Sequence, residues 1–161
     1  MIRAIFLDVD GTLISFSTHE IPASARRALT QAHERGVRLF IATGRAANDL
    51  GPLEGIPYDG VVSLNGARCV ANDGRVVSLH PIPRADFERA LALSEEQDFA
   101  MGLELEEGVF VNRVTPDVER VAHMVAHPVP EQTDLRELFG RVECCQLCFY
   151  FDAETQRRGM A

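Results

Sequence analysis

Two aspartates one residue apart follow an apolar run near the start of the chain. Ile5-Phe6-Leu7 leads into Asp8 and Asp10, and Gly11 and Thr12 come next. Because side chains alternate along a strand, the two carboxylates are expected on the same side. Like charges this close repel each other, and they are tolerable only with a cation or a proton between them. The pair therefore predicts a metal site or a proton-transfer site at a strand end; the alternative is a polar strand end that enters a turn.

Two later apolar runs also end in polar residues. Residues 37–42 are followed by Thr43-Gly44-Arg45, and residues 60–64 are followed by Asn65-Gly66-Ala67. Open α/β sheets bind ligands outside the carboxyl ends of their parallel strands. We therefore expect the three polar ends to converge in one crevice. Taken alone, each of the later two is also typical of an ordinary turn.

The elements that must position these residues form a strand, helix, strand unit. The spacing of apolar residues predicts a helix over 22–35, with Pro22 in its first turn and Gly36 after its end. The connection between the flanking strands should be right-handed, and the strands parallel. The near-continuous apolar run of the first strand predicts a central strand that is buried on both faces. A further short helix is predicted over 46–50, ended by Gly51-Pro52.

The pattern changes after residue 67. Asn72-Asp73-Gly74, between two short apolar runs, predicts an antiparallel hairpin, and Pro81 and Pro83 predict a linker. We therefore expect a first module over residues 1–80 and a second over 81–161. The second module is predicted to contain a helix from Asp86 to Gln97, paired strands over 99–105 and 109–113, a helix opened by Thr115-Pro116, a short helix over 135–139 and a strand over 142–151.

Composition narrows the classes of partner. The chain has 161 residues, a formal net charge of −8, and 16 basic residues that are all Arg. Nucleic acids and anionic membranes both require basic patches, so neither is expected as a partner. No apolar run reaches membrane-spanning length and no signal-type segment precedes the first strand, so a cytoplasmic protein is expected. The composition leaves the oligomeric state open.

The four cysteines, at positions 69, 144, 145 and 148, are too few and too clustered for a secreted disulfide framework. Cys145 and Cys148 form a C-x-x-C, which could be half of a zinc site or a redox pair. No second pair completes a zinc site. The surrounding residues predict a strand, in which positions three apart face opposite sides. A structural role for these cysteines is therefore favoured.

Taken together, the motifs resemble those of the haloacid dehalogenase-like (HAD) hydrolases, and within them the Cof-type subgroup with an α/β cap of type IIB. Asp8-Val9-Asp10-Gly11-Thr12 is similar to the first motif of that family, Ile41-Ala42-Thr43-Gly44-Arg45 to the second, and Asn65-Gly66-Ala67 to the turn typical of the subgroup. The resemblance implies an α/β fold in which residues 1–80 are the N-terminal part of a Rossmann-type parallel sheet core and residues 81–161 belong to an inserted α/β cap.

The resemblance also implies a Mg²⁺-dependent phosphohydrolase that acts on a small phosphorylated metabolite such as a sugar phosphate. Asp8 would be the nucleophile that forms an aspartyl-phosphate, and Asp10 would be the general acid and then the base. The Asp8 carboxylate and the Asp10 backbone carbonyl would hold Mg²⁺. Phosphate and substrate binding would fall to Thr43, Gly44, Arg45, Asn65 and Gly66, and Gly11 and Thr12 would support the loop.

The sequence departs from the family pattern in its later part. The third motif of the family is a Lys or an Arg and the fourth is a Gly-Asp run, but the chain contains no Lys and no Gly followed by Asp. It ends at residues 157–161, inside the expected cap. Core and cap are therefore expected to be incomplete, and the first strand to be an exposed edge. The alternatives are a truncated or catalytically inactive phosphate-binding module and a phosphomutase on the same scaffold.

Overall fold

The computed structural model describes residues 2–15, 17–18, 20–125 and 127–152. The chain divides into two compact units, Met1–His80 and Pro81–Ala161. Each unit has its own sheet and its own buried apolar core. Within the described ranges, every helix is too short or too polar to cross a lipid bilayer.

The described part of the first unit is a five-stranded sheet with one long helix. Its elements are β1 (Ala4–Leu7), α1 (Ala23–Glu34), β2 (Arg38–Ala42), β3 (Gly60–Ser63), β4 (Arg68–Ala71) and β5 (Val76–Leu79). The strands lie in the order β1-β2-β3-β4-β5. The first three are parallel, and β4 and β5 pair antiparallel through the predicted hairpin. The predicted α/β class is confirmed, and the three parallel strands end at one edge of the sheet.

One face of this sheet forms the core of the first unit. Leu39 and Ile41 of β2 are fully buried and pack with Leu29 of α1, because alternate residues of the strand point to the helix side. The helix ends as predicted. Gly36 adopts φ +84° just after the last turn, and its N–H donates to the carbonyl of His33.

The other face of β1 is exposed. Phe6 is 62% exposed and stacks on Phe40 of β2, with ring centroids 4.9 Å apart. In the described sheet β1 is an edge strand with β2 as its neighbour. The predicted burial of β1 on both faces is therefore wrong for the described residues, because no described helix of the unit packs over Phe6.

The described part of the second unit is a four-stranded sheet with helices on both faces. Its elements are α2 (Arg84–Glu96), β6 (Ala100–Leu105), β7 (Gly108–Val111), α3 (Pro116–Met124), β8 (Glu131–Gln132), α4 (Leu135–Phe139) and β9 (Gln146–Tyr150), and the strand order is β8-β7-β6-β9. Met101 and Leu103 of β6 pack with Phe87 of α2 and with α4. Ala100 of β6 packs on the opposite face with Val118 of α3.

Two of the helix starts in this unit are set by side-chain caps. Thr115 accepts a hydrogen bond from the N–H of Val118 at the start of α3, as the Thr-Pro pair predicts. The carboxylate of Asp134 accepts from two backbone N–H groups, those of Arg136 and Glu137, at the start of α4. These caps satisfy backbone donors that a helix leaves without internal partners.

Several predicted boundaries are wrong. Residues 46–50 form a turn rather than a helix, with a 3₁₀ turn over Gly51–Leu53. The α2 helix begins at Arg84, so Asp86 lies in its first turn and does not cap it. The last strand begins at residue 146 rather than 142, and β8 was not predicted because two residues carry no periodicity. Residues 157–161 lie outside the described residues.

Candidate active site

The loop after β1 is anchored by buried apolar residues on both sides of its polar ones. Val9 is only 1% exposed, and its carbonyl accepts hydrogen bonds from the N–H groups of Leu13 and Ile14. The chain reverses at Gly11, whose φ of +81° favours glycine. The Gly11 N–H closes the turn on the Ile14 carbonyl at 2.8 Å. The buried anchors leave the neighbouring Asp8 exposed at the end of the strand.

Both aspartates of this loop lie on its exposed side, as the alternation predicts. The hydroxyl of Thr12 donates to Oδ2 of Asp8 at 2.8 Å, which restricts the orientation of that carboxylate. The side chain of Asp10 is 41% exposed and faces Arg45. Val9 between them points into the core. The two carboxylates therefore have different partners: a hydroxyl holds Asp8, and a guanidinium holds Asp10.

The end of β2 places Thr43 in a buried position beside β3. Its backbone N–H donates to the carbonyl of Val62 at 2.9 Å, which continues the pairing of the two strands by one residue. Its Oγ1 accepts a hydrogen bond from the backbone N–H of Arg45 at 3.1 Å. An accepting hydroxyl still has its own proton to donate. Thr43 can thus support the turn and donate to a ligand oxygen at the same time.

The turn after β3 is held in an uncommon backbone conformation. Leu64 and Asn65 have φ values of +49° and +54°, and Gly66 follows at +95°. A non-glycine residue at positive φ is uncommon, and for a bulky side chain it is a sign of strain. Two hydrogen bonds hold the turn: the Leu64 N–H donates to the carbonyl of Arg45, and the Asn65 N–H donates to the carbonyl of Thr43, both at 3.1 Å.

Asn65 also approaches Gly44 closely. A Cβ added to Gly44 would lie 3.3 Å from both the Oδ1 and the Nδ2 of the Asn65 side chain. A larger residue at position 44 would make a tight contact, and the Asn65 amide would have to shift by a few tenths of an ångström to accommodate it. The amide of Asn65 thus lies beside the turn that follows β2.

Arg45 joins the ends of β1 and β2. Its Nε and Nη2 each donate to one oxygen of the Asp10 carboxylate at 2.8 Å, which is a bidentate ion pair. Its Nη1 reaches Asp49, at 3.3 Å from Oδ2 and 3.2 Å from the backbone carbonyl. The hydrogen bond to Asp10 is the main cause that raises the pKa of Arg45, against the opposing effect of burial.

The predicted site residues are thus brought together in part. The side chains of Asp10 and Arg45 contact each other, and the Asn65 amide lies beside Gly44. Thr43 accepts from two backbone N–H groups, that of Arg45 at its hydroxyl and that of Asn65 at its carbonyl. Within the described residues, the side chain of Asp8 bonds to Thr12 of its own loop, and a Cβ added to Gly66 would meet no atom within 4 Å. Contacts therefore join the end of β1 to that of β2, and the end of β2 to that of β3.

Sequence reasoning missed two residues of this region. Asp49 holds the far side of the Arg45 guanidinium, and Leu64 takes the first left-handed position of the third strand end. Asp49 lies four residues after Arg45, inside the segment that the sequence predicts as a helix. No sequence signal marks Leu64, because leucine disfavours the conformation that it adopts there.

Part of a magnesium site can be built from this loop. Mg²⁺ takes oxygen ligands, keeps several waters and is held by one or two carboxylates. The exposed carboxylate of Asp8 and the backbone carbonyl of Asp10 are oxygens of that kind on one tight loop. In the ranges that the structure describes, no group of three or more His, Cys, Asp or Glu residues could hold a metal. The described residues therefore fit two ligands of a largely hydrated cation.

The cysteines of the second unit are unsuited to a redox or zinc role. Burial, together with the nearby Glu104 carboxylate, raises the pKa of Cys148 to about 12. Burial also raises the pKa of Cys144. A thiolate is the form that attacks disulfides and binds metals. A raised pKa disfavours that form, and Cys144, Cys145 and Cys148 are all free thiols.

A family model and a curated relative match this chain. The model described as haloacid dehalogenase-like hydrolase matches residues 5–158. YkrA of Bacillus subtilis (strain 168), which is named as a candidate phosphatase, is 30% identical over 95 residues. That match covers 58% of this chain and 36% of YkrA.

Solved structures resemble nearly the whole chain. BT1666 of Bacteroides thetaiotaomicron, one of the phosphatases of the HAD enzyme superfamily, is 54% identical with a TM-score of 0.91, over 99% of this chain and 60% of its own. BT4131, a sugar phosphatase of HAD subclass IIB, is 28% identical with a TM-score of 0.82, over 97% of this chain and 61% of its own. The chain thus spans about 60% of the length of these two structures.

Proposed function

Since this chain belongs to the family of haloacid dehalogenase-like hydrolases, we propose that it serves as a Mg²⁺-dependent phosphohydrolase, or as the main part of one. Its substrate is a small phosphorylated metabolite of the sugar phosphate kind. The similarity to BT4131, a sugar phosphatase, supports the substrate class. Asp8 is the nucleophile and Asp10 the acid and base.

One observation carries this proposal: hydrogen bonds link polar residues at three neighbouring strand ends. The side chain of Arg45, after β2, bonds to that of Asp10, after β1. The backbone carbonyl of Thr43, after β2, accepts from the backbone N–H of Asn65, after β3. Ligands of open α/β sheets bind at such strand ends. A phosphate monoester placed there would meet a carboxylate nucleophile, a hydroxyl donor and backbone N–H groups at once.

The first step transfers the phosphoryl group to the protein. A carboxylate oxygen of Asp8 attacks the phosphorus, and the bond between phosphorus and the ester oxygen breaks. Asp10 donates its proton to the leaving oxygen, which departs as an alcohol. The hydrogen bond from Thr12 restricts the orientation of the Asp8 carboxylate before the attack. Splitting the reaction in this way replaces one difficult displacement with two easier ones.

The second step releases phosphate. Asp10, now a carboxylate, accepts a proton from a water molecule whose oxygen attacks the phosphorus, and the bond from phosphorus to Asp8 breaks. The Thr43 hydroxyl and the Gly44 N–H donate to phosphate oxygens whose charge grows in both transition states, and Asn65 and Gly66 line the substrate side. Bound Mg²⁺, held by the Asp8 carboxylate and the Asp10 carbonyl, supplies positive charge that offsets repulsion between the nucleophile and the phosphate.

An aryl phosphate assay tests the proposal. The protein, as its whole gene encodes it, is assayed with 4-nitrophenyl phosphate in the presence of Mg²⁺ and after a chelator has removed the Mg²⁺. We expect turnover that requires Mg²⁺ and is lost in Asp8→Asn. The matched control is Asp73→Asn, which makes the same substitution at an aspartate in the β4–β5 turn. Turnover that survives Asp8→Asn would falsify the assignment of the nucleophile.

A phosphate-binding module without turnover is the second candidate for the 161-residue chain. Two observations favour it: the chain contains no Lys to pair with a phosphate, and in the described ranges no cluster of three metal-ligating side chains exists. Calorimetry with inorganic phosphate, with and without Mg²⁺, separates the two candidates. Binding without turnover on a panel of phosphate esters supports the binding module; turnover supports the hydrolase. Transfer of the phosphoryl group to a sugar hydroxyl instead of water would indicate a phosphomutase.

A further inference from the structure

We propose that Arg45 is a positioning residue that orients the carboxylate of Asp10, and that Asp49 in turn orients Arg45. The proposal rests on the proposed function, because it needs Asp10 to deliver a proton. It also replaces the expectation that Arg45 binds phosphate. The chain of contacts runs from Asp49 through the guanidinium to the acid, with the reacting phosphate outside it.

The contact between Arg45 and Asp10 fixes the orientation of the carboxylate plane, and not only the position of one oxygen. Nε donates to Oδ2 and Nη2 donates to Oδ1, each at 2.8 Å, so both oxygens of the carboxylate are held by one rigid fork. A single hydrogen bond would leave the carboxylate able to rotate. Since 41% of the Asp10 side chain is exposed, packing restricts it only in part. The fork therefore determines the direction in which the carboxylate presents its oxygens.

The rest of the guanidinium is also engaged. Nη1 donates to the carboxylate Oδ2 and to the backbone carbonyl of Asp49. All three guanidinium nitrogens thus already have protein acceptors. An arginine that binds phosphate would instead be expected to present a donor edge to solvent, and the side chain of Arg45 is only 23% exposed. The geometry suits support of another side chain better than capture of an anion.

The main chain of Arg45 is held as firmly as its side chain. Its N–H donates to Oγ1 of Thr43, and its carbonyl accepts from the N–H of Leu64 in the strained turn after β3. The guanidinium therefore extends from a point that two neighbouring strand ends determine. An error in the position of Asp10 of even 1 Å would slow proton transfer, which depends on short and aligned hydrogen bonds.

The test exploits the different need of two leaving groups for a proton. The protein, as its whole gene encodes it, is compared with its Arg45→Gln and Arg45→Lys variants on two substrates. The phenolate of 4-nitrophenyl phosphate leaves without a proton, whereas the alkoxide of glycerol 3-phosphate needs one. We expect kcat/KM on glycerol 3-phosphate, which reports the first step, to fall about 100-fold in Arg45→Gln, within the usual contribution of a general acid. On 4-nitrophenyl phosphate, kcat/KM should stay within about 3-fold, because the phenolate leaves without a proton.

Three further results complete the test. Asp49→Asn should reduce the same ratio of rates by a smaller factor, because it loosens only the support of Arg45. Arg45→Lys should recover little of the rate on glycerol 3-phosphate that Arg45→Gln loses, because an ammonium group has no planar fork to hold both carboxylate oxygens. Arg26→Gln, at a guanidinium that bonds to the Glu54 carbonyl, is the matched control and should leave the ratio unchanged. An equal loss of kcat/KM on both substrates, with a raised KM, would show that Arg45 binds phosphate and would overturn the proposal.

A binding measurement tests the same point without turnover. The N–H resonance of Arg45 Nε, assigned by its loss in Arg45→Lys, should stay in place when inorganic phosphate is added, whereas backbone resonances of Gly44 should move. Movement of the Nε resonance in parallel with phosphate binding overturns the positioning role. The failure of the proposed function has a different signature, since turnover would then survive Asp8→Asn regardless of what Arg45 variants do.

Discussion

The two sheets differ in what covers them. In the second unit, β6 packs with α2 and α4 on one face and with α3 on the other. In the first unit, α1 and the segment after β2 cover one face, while the opposite face carries exposed and half-buried apolar side chains of neighbouring strands, which we call the open face: Ala4, Phe6, Phe40, Ala42 and Val62. Parallel strands are normally buried on both faces.

This difference separates the described unit whose sheet is covered on both faces from the unit that holds the candidate site. The second unit satisfies the rule that a sheet buries both of its apolar faces, and its two stacked rings, Phe87 and Phe139, lie within its core. The first unit holds the strand ends with Asp8, Asp10 and Thr43, but leaves Phe6 against solvent. We therefore expect the candidate site to sit on the less protected of the two sheets.

The largest expected effect comes from the same truncation in each core. Leu39→Ala in β2 and Leu103→Ala in β6 each remove a fully buried leucine and should lower the free energy of unfolding by about 2–5 kcal/mol. Hydrogen exchange read residue by residue should show the loss of protection confined to the unit that carries the change. Leu103→Met, which keeps the volume, should cost less than about 1.5 kcal/mol. Loss of protection across both units in either variant would mean that they unfold as one.

The next effect depends on pH and belongs to the second unit. The thiol of Cys148 has its pKa raised from 9.0 to about 12, chiefly by burial, so folding favours the neutral thiol. This contribution is complete below pH 9 and is lost as the pH rises toward 12, because the unfolded thiol ionises first. From pH 9 to 10 the free energy of unfolding should fall by about 1 kcal/mol from this group.

Denaturation by urea at pH 8 and pH 10 measures this loss. Cys148→Ala should show a smaller decrease between the two values than the unsubstituted chain. Cys69→Ala, in the first unit, is the control and should keep the full decrease. If Cys148→Ala and the unsubstituted chain lose the same amount, the proton on Cys148 makes no contribution.

A helix cap gives a smaller effect in the second unit. Asp134→Ala removes the carboxylate that accepts from the N–H groups of Arg136 and Glu137, and it should cost about 1 kcal/mol. Asp134→Asn should recover most of that loss, because asparagine caps helices about as well. The free energy of unfolding of the second unit, measured by denaturation, checks both values. An equal loss in both variants would point to the charge rather than to the cap.

The smallest effect on stability is expected at the open face. Phe6→Ser should change the free energy of unfolding by no more than about 0.5 kcal/mol, as exposed substitutions usually do. The same change should reduce binding of a dye that reports exposed apolar surface, because it removes the more exposed of the two phenylalanine rings on that face. Val77→Ser, at an exposed valine of β5, is the control and should reduce dye binding less. A loss of several kcal/mol in Phe6→Ser would show that the face is covered.

Several features of the fold were predictable because they depend on a few neighbouring residues. The α1 helix with glycine after its end, the hairpin at Asn72-Asp73-Gly74 and the start of α3 at Thr115 follow from local backbone conformation and capping. The parallel pairing of β1 and β2 follows from the helix that connects the two strands.

Other features could not be predicted because packing outweighs local preference. Residues 46–50 have a helical composition, yet they form a turn in which Asp49 bonds to the Arg45 side chain. Leu64 adopts a left-handed conformation that only its hydrogen bond to Arg45 and its burial can support. Periodicity could not show that Phe6 would lie on an uncovered face, because an apolar strand looks the same whether or not something covers it.

The sequence by itself determined which polar residues stand at strand ends and which way their side chains point, because alternation along a strand and the turns that end it act over a few residues. Only the tertiary structure decided which of them touch. Asp10 and Arg45 lie 35 residues apart and meet because β1 and β2 are neighbours in the sheet. Contacts over that distance depend on the packing of whole elements, which no short stretch of sequence encodes.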